Sequence, residues 1–220
     1  MRVGSVPEDE LRKRDLASRG NRTEELIEAA IGVIREDGAA ASMERIALAA
    51  GVTKPILYKH FGDKAGIYET IAARYLDELR SELIKSMRPG ASPAETLRRT
   101  IDTYLAVIER EPQIYRFLTR EARLSVSDPG APVESFIRQL AGEVTIVISD
   151  GLRASGADLG AAEPIGYGIT GMVQLAGDWW IERQTMSRDR MTDYITDLIW
   201  HGLSAMLPNP ERTAARLQAG

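Results

Sequence analysis

A chain of 220 residues with a formal net charge of −4 and 44% hydrophobic residues has an ordinary globular composition, able to bury a core. It has no cysteine, which excludes disulfides, thiolate zinc sites and a cysteine nucleophile, and only two well-separated histidines, His60 and His201, which argues against a histidine-based metal or triad site. No apolar run reaches the roughly 18 residues of a membrane span, and the first twenty residues lack a signal-like apolar core, so a cytoplasmic protein with no membrane partner is expected.

Residues 1–20 are polar, mixed in charge, and read as a flexible tail. Their cations Arg12, Lys13, Arg14 and Arg19 suit contact with a polyanion or, the preferred reading, plain solvation. From Asn21 the pattern changes: Leu26, Ala29, Ala30, Val33 and Ile34 recur at helical spacing. Thr23 is the expected cap, Glu24 and Glu25 suit the positive end of the helix dipole, and Gly38 ends the segment. A second helix starts at the N-cap Ser42 and stops at Gly51. A third, short one follows Thr53, has Pro55 in its first turn, and ends near Phe61 before Gly62.

A long helix is expected over 64–87, with Ile67, Ile71, Tyr75, Leu79 and Leu83 four residues apart. Further helices are expected over 94–110, 113–125, 133–155, 163–184 and 188–206, all but the last preceded by a break that contains Pro or Gly. The β-branched run "EVTIVIS" reads as helix because its flanks keep the helical period. The pattern predicts an all-α fold of about nine helices with no strand.

The second and third helices, joined tightly at Gly51-Val52, have the spacing of a helix-turn-helix. Gly51 can take the positive φ of the turn, Val52 plugs the corner, and Leu57 and Phe61 point to the core. The opposite face keeps Thr53, Lys54, Tyr58, Lys59 and His60. Thr53 and the helix N-terminus suit a phosphate, Lys54 a base edge or phosphate, and Tyr58, Lys59, His60 and Lys64 the DNA backbone. Over 42–64 the cations Arg45, Lys54, Lys59 and Lys64 outnumber Glu44 and Asp63 within a chain whose total is −4. Such local concentration is what a duplex selects.

The segment "MERIALAAGVTKPILYKHFGDKAGIYETI" resembles the DNA-binding signature of TetR-type transcriptional regulators. The matching residues are Ile46, Ala47, Ala50, Gly51, Val52, Thr53, Leu57, Tyr58, His60, Phe61 and Lys64. The resemblance implies a homodimeric repressor with a C-terminal ligand pocket that controls DNA affinity. The expected organisation is a tail (1–20), a helix-turn-helix DNA-binding domain (21–64), a ligand-binding and dimerisation domain (65–207) and a C-terminal tail (208–220).

A dimer can read two half-sites about 34 Å apart, most simply those of a palindromic double-stranded operator. The last two helices are the expected seam because each is apolar over a wide face: Ile169, Val173, Trp179 and Trp180 on one, Tyr194, Ile195, Leu198 and Ile199 on the other. Tyr75, Tyr104, Tyr115, Phe117, Phe136, Tyr167 and Met172 are the expected lining of a pocket for an apolar or amphipathic effector of unknown identity. An all-α enzyme fits poorly, since the chain shows no glycine-rich phosphate loop, no HExxH and no distinctive carboxylate pair; no catalytic residue, cofactor or metal is expected. A helical sensor or scaffold without DNA binding is the remaining alternative, and the set Thr53, Lys54, Tyr58, His60 and Lys64 argues against it.

Overall fold

A computed structural model describes residues 8–88, 90–124 and 132–204, and they form nine α-helices, two short 3-10 turns and no strand. The helices are α1 (Glu8–Asp37), α2 (Met43–Ala49), α3 (Lys54–Phe61), α4 (Lys64–Ser86) and α5 (Pro93–Arg110), then α6 (Pro112–Leu124), α7 (Pro132–Ser155), α8 (Ala162–Arg183) and α9 (Arg188–Ser204). From α2 to α8 the expected boundaries agree to within a residue or two. "EVTIVIS" is helical within α7. Residues 1–7 and 205–220, which include the expected C-terminal tail, lie outside the described residues, as does most of the loop before α7.

One correction concerns the N-terminus. The tail expected over 1–20 is helical from Glu8, so Thr23 sits inside α1 and caps nothing. The physical reason is cooperativity: once Leu26, Ile27, Ala30, Val33 and Ile34 are buried, each preceding residue adds a hydrogen bond without a new nucleus. The Glu, Leu, Arg and Lys residues of this stretch propagate a helix well without any apolar stripe.

The chain divides into two compact units. The first holds the chain through Tyr75 and takes back the stretch from Gln113 through α6; it therefore extends beyond 21–64. The reason is visible in α4 and α6. Ile67, Tyr68, Ile71 and Ala72 of α4 are buried, and the Tyr68 ring meets Phe117 of α6 edge-on, with centroids 6.4 Å apart. Arg74 pairs with Glu24 at 2.5 Å and with Glu28 at 2.8 Å on α1.

The second unit holds Leu76–Pro112 and the chain from α7 onward. Within it α5 packs on α9, and α7 on α8. Ion pairs clamp the first contact: Arg98 reaches Asp193 at 2.9 Å, and Arg188 reaches Asp102 at 2.8 Å and Glu109 at 2.7 Å. The hydrogen bonds these guanidinium groups donate, from Arg98 to Asp193 and from Arg188 to Asp102, raise both of their pKa values further above the ordinary range. The second contact depends on Gly166, where a Cβ would stand 2.3 Å from Thr145 Oγ1, so only glycine lets α7 and α8 close.

Candidate nucleic-acid interface

The short helix α3 is held on its inner side and open on its outer one. Leu57 is 0% exposed and Phe61 is buried, which anchors the helix on the first unit's core. The turn before it is a Schellman motif. The Val52 N–H donates to Ala47 O at 3.0 Å and the Gly51 N–H to Leu48 O at 3.1 Å, with Gly51 at φ +62°. Ser42 caps α2 as its sequence suggests, its hydroxyl accepting from the Arg45 N–H at 3.3 Å. Thr53 occupies the α3 N-cap in extended conformation, but its hydroxyl does not cap the helix. Asp63 caps α4 through the Gly66 N–H at 3.0 Å.

The structure brings Thr53, Tyr58, Lys59 and His60 together on the exposed side of α3, with Tyr58 41% exposed. His60 Nδ1 lies 3.4 Å from the Thr23 hydroxyl, which places α1 beside the last turn of α3. The other three expected contacts carry acidic partners. Lys54 forms an ion pair with Glu44 on α2. Arg45 reaches Asp37 at 2.9 Å and Glu36 at 3.1 Å, and the Asp37 hydrogen bond and charge raise its pKa. Lys64 bonds Glu121 of α6 at 2.7 Å and stands 5.7 Å from the Phe117 ring centre. A phosphate at any of these three must compete with a carboxylate. The sequence shows Glu44 as a nearby anion but pairs none of these carboxylates with its cation; Glu121 lies 57 residues from Lys64 and only the fold joins them. It also gives no role to Ile56, which is exposed on α3 and suits a thymine methyl group.

The residues expected around an effector divide between the units. Tyr75, Tyr115 and Phe117 are buried in the first. Tyr104, Phe136, Tyr167 and Met172 belong to the second, where Tyr104 packs against Gly177 of α8. A Cβ at Gly177 would stand 2.8 Å from the Tyr104 ring. The expected dimer residues also sort by exposure. Trp179, Tyr194 and Leu198 are exposed; Ile169 and Val173 are half-buried. Trp180, Ile195 and Ile199 are corrected to protomer core. Trp180 is 1% exposed and donates its indole N–H to Met186 O at 2.9 Å, so its face is turned inward.

Among the described residues no helix is long and apolar enough to cross a membrane. The family profile "Bacterial regulatory proteins, tetR family" matches residues 26–71, which covers α2, the turn and α3. The profile "Tetracyclin repressor-like, C-terminal domain" matches residues 83–215. The HTH-type transcriptional regulator Rv0472c of Mycobacterium tuberculosis is 29% identical over 204 residues, 92% of this chain and 86% of its own. The HTH-type transcriptional activator FasR of Mycolicibacterium smegmatis is 27% identical over 195 residues, 88% of each chain. The fold is similar to a TetR-like transcriptional regulator from Rhodococcus sp. RHA1, with TM-score 0.66, 23% identity, and coverage of 83% of this chain and 96% of the other. The helix-turn-helix geometry and the two profile matches, which together span most of the sequence, lead to one conclusion: the chain is a transcriptional regulator of the TetR family and not an enzyme.

Proposed function

We propose that the chain acts as a homodimeric repressor that binds a palindromic operator through α3 and releases it when a small apolar or amphipathic effector binds. The observation that carries the reading is the exposure of Thr53, Tyr58, Lys59 and His60 around a helix anchored by the buried Leu57 and Phe61. A fixed helix with its cationic and hydroxyl groups outward fits a major groove and its phosphates. Lys54 trades Glu44 for DNA on binding, and Arg45 and Lys64 play secondary parts because their carboxylate partners stay close. Trp179, Tyr194 and Leu198, exposed on α8 and α9, supply the self-complementary face of the dimer. The effector sits in the second unit, near Tyr104, Phe136 and Met172. The helix α4 is continuous through both units, so a shift of its second half is felt at the start of its first.

The experiment is a binding titration against duplex from the chain's own upstream region, repeated across salt concentrations. Affinity is expected to fall by about 10³ or more between 50 and 200 mM salt. Lys59→Ala weakens all sequences alike and flattens the salt slope by about 1 per subunit. Glu44→Gln, which frees Lys54 and removes an anion from the interface, tightens binding by about two- to fivefold per subunit. Binding that ignores salt, or a Glu44→Gln variant that binds more weakly, contradicts the assignment. A reporter fused to the operator gives the sign of regulation: expression rises on loss of a repressor and falls on loss of an activator.

A further inference from the structure

We propose that Gly66, together with Gly62, is a positioning residue for operator recognition: the junction they form sets the last turn of α3 against α4, and so fixes where Tyr58, Lys59 and His60 meet DNA. The proposal rests on the role given to α3 above and names the residues that hold that helix in place.

Three observations meet at the Phe61 carbonyl. The first is the turn. Gly62 has φ +78° and ψ −69°, and the Asp63 N–H donates back to Phe61 O at 2.9 Å. Those are the angles and the bond of the rarer form of γ-turn, which glycine adopts freely and an L side chain does not. The second is the end of α3. The Gly62 N–H donates to Tyr58 O at 2.8 Å, which ties the γ-turn to the part of α3 that carries Tyr58, Lys59 and His60. The third is a close approach. A Cβ on Gly66 would stand 1.8 Å from Phe61 O and 2.9 Å from Phe61 C, both backbone atoms. Asp63 Oδ1 accepts from the Gly66 N–H at 3.0 Å and holds the first turn of α4 there. Backbone confined in this way, at the foot of the exposed residues of α3, is characteristic of functional sites.

A side chain at position 66 has to be relieved by moving one of the two helices. α4 is the firmer one: Ile67, Tyr68, Ile71 and Ala72 are buried, and Arg74 pairs with Glu24 and Glu28 of α1. α3 has eight residues, of which Leu57 and Phe61 are buried. α3 therefore yields. Cβ atoms essentially never come within 3.0 Å of another heavy atom, so the Phe61 carbonyl retreats by more than about 1 Å. A hydrogen bond to a base edge or a phosphate holds only over about 2.7 to 3.2 Å, and a shift of that size breaks it. Base readout depends on such geometry; the general attraction to the phosphate backbone does not.

The test titrates two duplexes of equal length, one from the chain's own upstream region and one of shuffled sequence. Gly66→Ala is expected to weaken binding to the upstream duplex about 30-fold and to the shuffled one by less than about threefold, so that their ratio falls about tenfold or more. Gly32→Ala adds the same methyl group inside α1, where nothing lies within 4 Å, and is expected to keep both affinities. A Gly66→Ala protein that loses both affinities in equal proportion has only lost folded molecules, and that result overturns the proposal. Binding equal to that of the unsubstituted chain overturns it as well. If Gly66→Ala does not fold, Gly62→Ala disturbs the same turn from an exposed position. A fallen ratio in that variant supports the proposal and an unchanged one overturns it. An unsubstituted chain that binds the two duplexes equally defeats the reading of α3 itself, whatever Gly66 does.

Discussion

Leu198→Arg is expected to make the chain monomeric and to weaken operator binding by about 100-fold or more, because two tethered recognition helices gain over one by factors of this size. Leu198 is 65% exposed on α9, and Tyr194, one turn earlier, is also exposed under the Arg190 guanidinium, which bonds its hydroxyl at 2.8 Å. On α8, which packs against α9, Leu175 and Trp179 are exposed as well. Four large side chains left open on two adjacent helices are more than isolated surface residues need. An arginine at 198 puts two like charges near the proposed two-fold axis. Sedimentation gives the oligomeric state and a binding titration the affinity. Since Leu198 is exposed, the protomer keeps its helical content. A Leu198→Arg protein that sediments as a dimer with full affinity moves the seam to another face.

The largest expected effect on stability is at the neighbouring tryptophan pair. Trp180→Ala should cost about 3–5 kcal/mol, through a cavity in the core and loss of the bond to the Met186 carbonyl. Trp179→Ala, whose side chain is exposed, should change protomer stability by less than about 1 kcal/mol and instead weaken the proposed dimer. Denaturant unfolding at fixed protein concentration separates the two, with a comparison at higher concentration for the dimer contribution. Equal losses at both positions would mean that the two rings share one environment, against the assignment of Trp179 to the seam.

These two residues also show how far the sequence is legible. A helix apolar over most of its circumference, such as α8, serves both its own core and an outer face, and the linear pattern does not say where one stops. Trp180, Ile195 and Ile199 went to the core for that reason; Trp179, Tyr194 and Leu198 went outward. Element boundaries were far clearer, because Ser42, Gly51, Gly62, Ser92 and Pro112 act locally through caps, turns and a missing N–H. The start of α1 was hidden, since residues 8–20 join the helix by propagation and have no periodicity to announce it. In the site, the inside–outside division of α3 follows from its period: Leu57 and Phe61 four apart and inward, Tyr58, Lys59 and His60 outward. The partners of Arg45, Lys54 and Lys64 are products of tertiary folding, and no local spacing encodes Glu121 beside Lys64.

The central claim is that the outward side of α3 lies in the groove of a duplex. The chain has no cysteine, so Lys59→Cys offers a single attachment point for an iron chelate that cuts DNA within its reach. Strand cuts mapped on the operator are expected in two clusters about one helical turn apart, each inside a half-site. Tight binding accompanied by cuts spread evenly along the duplex, or by none, would contradict the account.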